Sequence, residues 1–198
     1  MLRGIMVDAI RIINRIDTKI KHMKVSETTE IIGRCEFAGK TDQIQIGDNT
    51  IIRSGIYGGN YVGLSKSCFC TLANGEIVIG NNVGISNSIF ISRCSIMIED
   101  DVMIGGGCKF YDSDFHSLDY PTRITSMDDV KSAPILIKRG AFIGADSIIL
   151  KGVTIGEESI VGAGSVVTKS IPDGEIWGGN PAKLIRKLRI DNASLERN

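Results

Sequence analysis

The chain has 198 residues, with 23 basic side chains balanced by 23 acidic ones. That length fits one domain with a solid core, and the cancelled charge gives no broad basic footprint for nucleic acid. No apolar run approaches a membrane span, and the first residues lack the apolar segment and cleavage site of a signal peptide, so a cytoplasmic protein with no transmembrane segment is expected. The five cysteines, Cys35, Cys68, Cys70, Cys94 and Cys108, are odd in number and scattered, which favours reduced thiols over disulfides.

In residues 2–24, Ile5, Ala9, Ile12, Ile13, Ile16 and Ile20 recur at helical spacing between Arg3, Arg11, Arg15, Lys19 and Lys24. The spacing predicts an amphipathic N-terminal helical segment, 1–25, with a basic outer face. Its simplest role is to cover the open end of the structure that follows; contact with an anionic membrane surface is the alternative.

A six-residue pattern follows, begun at Ile32-Gly33 and at Ile46 to Ile51. It blurs between Tyr57 and Gly75, which predicts irregular coils there. It returns at Ile79, Ile85 and Ile91, slips by one residue, and resumes at Ile98, Ile104 and Phe110; the slip predicts a local bulge. The clearest run is Ile137, Ile143, Ile149, Ile155, Val161 and Val167, with Gly144, Gly156 and Gly162 directly after three of them. Four residues after each aliphatic stand Ala141, Ser147, Val153, Ser159 and Ser165, with the larger Ile171 last. No helix repeats at six, and no alternating strand keeps glycine at a fixed corner. Such a period builds a β-helix over 26–172, in which each coil puts one branched aliphatic per face on the axis and a small residue at each corner.

Between Phe110 and Ile137 the repeat stops. This loop excursion, 111–136, carries Asp112, Asp114, His116, Asp119, Tyr120, Arg123 and Lys131, and long excursions from compact stacks are usually functional. Beyond Pro172 a Gly-rich turn leads to Pro181, which predicts a short C-terminal helix from Ala182 to Ile190 and then a tail, within 173–198.

His116 is one of only two histidines; His22 lies in the basic helix. If the loop is extended there, Asp112, Asp114 and His116 project to one side, and a carboxylate beside an imidazole prepares a general base. Two other readings stand beside it: a divalent cation held by Asp-x-Asp-x-His, and a histidine that caps loop carbonyls. Two histidines are too few for the three that a β-helical carbonic anhydrase places on zinc. Lys169, Lys183 and Arg186, with Thr168 beside Lys169, put cations near the end of the stack, where they could meet phosphates.

The run from Gly152 to Gly156, that from Val161 to Pro172, and Gly178-Gly179-Asn180-Pro181-Ala182-Lys183 resemble the C-terminal pattern of the hexapeptide-repeat acyltransferases, in particular bacterial sugar and polysaccharide O-acetyltransferases. The resemblance covers about two-thirds of the chain. It implies an all-β, left-handed parallel β-helix, although connection rules alone would favour right-handed crossovers. It also implies acetyl-CoA as donor with no metal, a homotrimer with sites between subunits, and a sugar, nucleotide-sugar or lipid-linked glycan acceptor. His116 matches the catalytic base of that family, with Asp114 and Asp112 beside it. Gly144, Gly162 and Ala163 match the pantetheine path, and Thr168, Lys169, Lys183 and Arg186 match the part that meets the nucleotide.

The departures are informative. Galactoside and maltose acetyltransferases carry asparagine where this chain has Gly107, tryptophan where it has Phe142, and proline where it has Ser117. The chain looks closer to enzymes acting on capsular, lipopolysaccharide or exopolysaccharide precursors. N-acetylation of an amino sugar, O-acetylation of serine and a non-catalytic scaffold on the same prism are the competing expectations.

Overall fold

A period of six closes a triangular coil every 18 residues, and the last coils keep that count: Ile137 lies beside Ile155, and Ile143 beside Val161. The computed structural model describes residues 2–55, 65–126 and 128–188. Their strands form three sheets of six, eight and six strands, parallel except for one terminal pair. One face runs from Lys24–Val25 through Glu76–Ile79 to Thr154–Ile155, a second from Glu30–Ile32 through Met103–Ile104 to Ile160–Val161, and a third from Glu36–Gly39 through Lys109–Tyr111 to Val166–Val167. The fold is a left-handed parallel β-helix.

The aliphatics predicted from the period fill its axis. Ile137, Ile143, Ile149, Ile155, Val161 and Val167 are all buried, and Ala141, Ser147, Val153, Ser159 and Ser165 are buried at the corners. On the third face the axial position is aromatic in four successive coils. Phe37, Phe69, Phe90 and Phe110 stack in register at centroid distances of 5.6, 4.9 and 4.5 Å.

The earlier coils correct the predicted phase. Phe90 and Ile52 point inward where Ile91 and Ile51 were expected, and Ile31 is buried rather than Ile32. No bulge is needed between Ile91 and Ile98. The corner between Ile85 and Phe90 is one residue short of the period, and the turn at Arg93 and Cys94, between Ile89–Ser92 and Ser95–Ile98, takes up two extra residues. Of the segment expected to be irregular, Cys68–Thr71 is a regular strand of the third face, while residues 56–64 lie outside the described residues.

The predicted C-terminal helix is absent. Lys183–Lys187 is a strand, antiparallel to Glu175–Gly178 at the end of the second face. The edge of Glu175–Gly178 would otherwise present unpaired backbone groups, and this pairing satisfies them where a short helix could not. The tail from Asp191 lies outside the described residues.

Over Ala9 to Ile20, the N-terminal helix, Leu2–Ile20, meets the first coil with its polar Asn14 and Thr18 and leaves Ile12, Ile13, Ile16 and Ile20 exposed. Asn14 Nδ2 donates to the carbonyls of Gly33 at 2.8 Å and Ile31 at 3.3 Å, Arg15 to that of Glu27 at 2.9 Å, and Lys21 to that of Phe37 at 2.6 Å. An open coil end needs hydrogen-bond donors more than it needs hydrocarbon, and that need sets the helix's rotation. Among the described residues no helix is long and apolar enough to cross a membrane.

Candidate active site

With Phe110 locked in the aromatic stack, Tyr111 faces out and Asp112 turns in. Asp112 is fully buried. Its Oδ1 accepts from the Arg93 amide at 2.7 Å; Oδ2 accepts from Ser92 Oγ at 2.7 Å and the Cys94 amide at 2.8 Å. Three donors on one buried carboxylate hold the wide turn of the coil before it. This corrects the expected same-side trio: the Asp112 carboxylate is committed to residues 92–94. It also removes Asp112 from the Asp-x-Asp-x-His cation set.

The excursion is tied at its root. Ser113 pairs with Ser132 in an antiparallel bridge, the Asp114 amide donates to Lys131 O at 3.0 Å, and the Ala133 amide donates to Asp112 O at 2.9 Å. Asp114 Oδ1 accepts from Lys151 Nζ at 2.6 Å. Asp114 Oδ2 is buried with no hydrogen-bond partner among the described residues. Lys151 was not anticipated, although the coil register could have found it. Tyr111 pairs with Leu150, so the next residue, Lys151, stands beside the start of the arm.

The chain then turns sharply. Phe115 has φ of 63°, a left-handed conformation that costs a bulky residue energy and ends the alternation the sequence implied. Ser113 Oγ accepts from the Phe115 amide at 3.1 Å, and the Phe115 ring meets Tyr111 edge-on at 5.5 Å. His116 follows with its side chain exposed. Beyond it, Arg123 Nη1 donates to the carbonyls of Ser117 at 3.1 Å and Leu118 at 3.2 Å. Asp119 caps the six-residue helix Tyr120–Thr125: its Oδ2 accepts from the Thr122 amide at 3.0 Å and Thr122 Oγ1 at 2.8 Å, bonds that hold this carboxyl below its ordinary pKa. The imidazole thus projects from a backbone braced on both sides.

At the corner between the second and third faces, every late coil is small: Gly105-Gly106-Gly107, Gly144-Ala145, Gly162-Ala163-Gly164 and Gly178-Gly179. Two physical reasons apply. A Cβ on Gly144 would lie 2.5 Å from Ala163 N, so that glycine permits the coils to stack. Ala163 and Gly164 are exposed, and a Cβ on Gly164 would meet nothing within 4 Å, so this part of the corner is an open, side-chain-free surface. Thr168, Lys169, Lys183 and Arg186 are exposed at the last coil, where the Ala182 amide donates to Val166 O at 2.9 Å. Lys183 and Arg186 stand on a strand there, not on the expected helix.

Comparison with known proteins agrees with this architecture. Residues 134–169 match the model of the bacterial transferase hexapeptide, six repeats. A Schizosaccharomyces pombe protein with a provisional acetyltransferase name is 40% identical over 52% of this chain and 48% of its own length. A Staphylococcus aureus protein with the same provisional name is 42% identical over 59% of this chain and 57% of its own. The chain thus spans about half the length of the curated relatives it matches. Among solved structures, the hexapeptide-repeat acetyltransferase of Vibrio cholerae, complexed with acetyl-CoA, is 25% identical with a TM-score of 0.59, covering 89% of this chain and 78% of that one. A mutant of AntD, an N-acyltransferase from Bacillus cereus complexed with dTDP and coenzyme A, is 25% identical with a TM-score of 0.67 and 92% coverage of both chains. Residues 134–169 thus carry the bacterial transferase hexapeptide repeat, and the chain shares the left-handed β-helix fold of these solved structures.

Proposed function

We propose that this chain transfers an acetyl group from acetyl-CoA to a sugar hydroxyl, with His116 as general base. The observation that carries the reading is the exposed imidazole on a braced arm, the one long excursion of the described prism, in a chain whose relatives bear acetyltransferase names. His116 takes the acceptor proton, the freed oxygen attacks the thioester carbonyl, and the CoA sulfur leaves, recovering that proton from the imidazolium. Backbone N–H groups of the glycine-rich corner are suited to the oxyanion. Asp114 Oδ2, buried and open while the imidazole is exposed, would orient the ring only after the turn at Phe115 shifts on substrate binding, while Asp112 acts by holding the root of the arm. Gly144 keeps the coils close. Gly162 and Ala163 leave room for the pantetheine, and Thr168, Lys169, Lys183 and Arg186 meet the nucleotide phosphates.

The assembly that suits this site is a homotrimer with parallel prisms in the cytoplasm. Beside the arm root, the partly buried outward residues Ile91, Tyr111 and Leu150 stand in one row across three neighbouring strands, a surface that a neighbouring copy would cover. The acceptor class proposed is a nucleotide-linked or lipid-linked sugar of surface-glycan synthesis; the dTDP in the AntD structure supports the nucleotide-linked form. That same likeness favours a second reading, acylation of an amino sugar. Thiol release from acetyl-CoA across a panel of nucleotide sugars and amino sugars, followed by product analysis, separates the two. A thermal shift with CoA that stays flat at saturation would favour a scaffold instead.

A further inference from the structure

The N-terminal helix presents a stripe that its own fold leaves bare. Ile12, Ile13, Ile16 and Ile20 are 60%, 47%, 52% and 70% exposed, while Asn14 and Thr18 on the opposite side are buried against the first coil. A cavity of about 200 Å³ lies under the helix, lined by Asn14, Met23, Val25 and Ile31 among others. Asn14 Oδ1 has no hydrogen-bond partner among the described residues. From Ala9 onward the helix is held to the prism through the carbonyl caps of Asn14 and Arg15, with Lys21 just beyond its end adding a third.

Arg11, Arg15 and Lys19 each precede one residue of the Ile12, Ile16, Ile20 line, so they run along one flank of the stripe at four-residue intervals. In the stretch from Ala9 to Ile20 the only acidic residue is Asp17; it lies on the other side, 3.6 Å from Lys21. Arg11 pairs with Glu30, whereas the Arg15 guanidinium donates to a backbone carbonyl, a neutral acceptor. An isoleucine ridge with a cationic flank suits a surface that is apolar at depth and anionic at its rim.

We propose that this helix seats the base of the prism on an anionic lipid surface, the isoleucines entering the headgroup boundary and the cations resting at phosphate level. Three observations select that occupant over a second copy of the chain. The stripe offers a few hundred Å², well short of the roughly 800 Å² per partner of a stable protein interface. From Ala9 to Ile20 this flank carries Arg11, Arg15 and Lys19, which a parallel pair of identical helices would bring close together. It also lies at the end of the prism, where a planar partner meets no obstruction from the coils. The proposal stands apart from the acyl-transfer reading, because it rests on the helix alone.

Flotation of the full chain with vesicles tests it. The protein is expected to float with vesicles of equal phosphatidylcholine and phosphatidylglycerol and to stay largely free with phosphatidylcholine alone. The double substitution Ile16→Asp with Ile20→Asp, at positions 52% and 70% exposed, should reduce the bound fraction about tenfold or more, with Tm little changed. Raised salt should weaken binding in part, by screening Arg15 and Lys19. Wild-type protein that floats with neither vesicle, or a double variant that floats as well as wild type, overturns the proposal. So does a double variant that drops to a smaller oligomer in size-exclusion chromatography, because the stripe would then belong to a contact between copies.

Discussion

Replacing Asp112 separates a structural carboxylate from a catalytic one. Its side chain is fully buried and accepts three hydrogen bonds, from Ser92 Oγ and the amides of Arg93 and Cys94. Hydrogen bonds to a charged group contribute about 1.5–3 kcal/mol each, and the turn at 93–94 is only partly buried, so water can reach some of the freed donors. Asp112→Ala should therefore cost about 3–5 kcal/mol. For a chain of this size that lowers Tm by roughly 10 °C. Asp112→Asn can place its one oxygen at the Oδ2 position and keep Ser92 and Cys94, but its amide then faces the Arg93 N–H, for a loss of about 2 kcal/mol. Urea unfolding followed by circular dichroism gives both values, and turnover per folded molecule is measured alongside. The two variants should rank in that order in stability, with turnover per folded molecule only slightly changed. An Asp112→Asn protein of wild-type stability that has lost most of its turnover would show that the carboxylate acts on the imidazole, and the structural role would be wrong.

The Lys151–Asp114 pair invites a double-mutant cycle. Lys151→Met should cost about 1–2 kcal/mol, because it leaves a mostly buried carboxylate without its cation, and Lys151→Met with Asp114→Asn should cost less than the sum of the two single changes. Burial pushes the Cys35 thiol up to about 12, so at pH 8 Cys35 should resist Ellman's reagent until the protein is unfolded; burial raises the Cys70 thiol as well, but by less, so the partly exposed Cys70 should react slowly in the native state. Asp173 accepts from the Glu157 amide and from Lys138, and these bonds hold its carboxyl below the ordinary 3.8. A depressed folded value means that the contribution is complete above 3.8 and fades as pH falls below it; the Tm gap between wild type and Asp173→Asn should close in that acid range.

The prism was legible because its period is a steric requirement: every sixth residue from Ile137 to Val167 reaches the axis. Doublets were ambiguous. In Ile31-Ile32, Ile51-Ile52 and Phe90-Ile91 either residue could point inward, and the choice falls to register with the neighbouring coil, as the Phe69–Phe90–Phe110 stack shows. The helix stripe could be read from its spacing, but not the surface it faces. That was decided by the carbonyls of Gly33, Glu27 and Phe37, which ask for donors that Asn14, Arg15 and Lys21 supply. The same need for edge pairing made a strand of Lys183–Lys187, where the local signal at Pro181 pointed to a helix. In the site, His116 stood out as a histidine in a break of the repeat. The inward turn of Asp112 and the bond from Lys151 depend on contacts between coils that no single window of sequence contains.

The central claim is that the arm's imidazole moves the proton. The direct measurement is thiol release from acetyl-CoA by wild type and His116→Ala, with whichever acceptor the wild type uses, and CoA affinity determined for both by thermal shift. The account predicts turnover lower by about 10²–10⁴-fold at undiminished CoA affinity. A His116→Ala enzyme that turns over like wild type would contradict it.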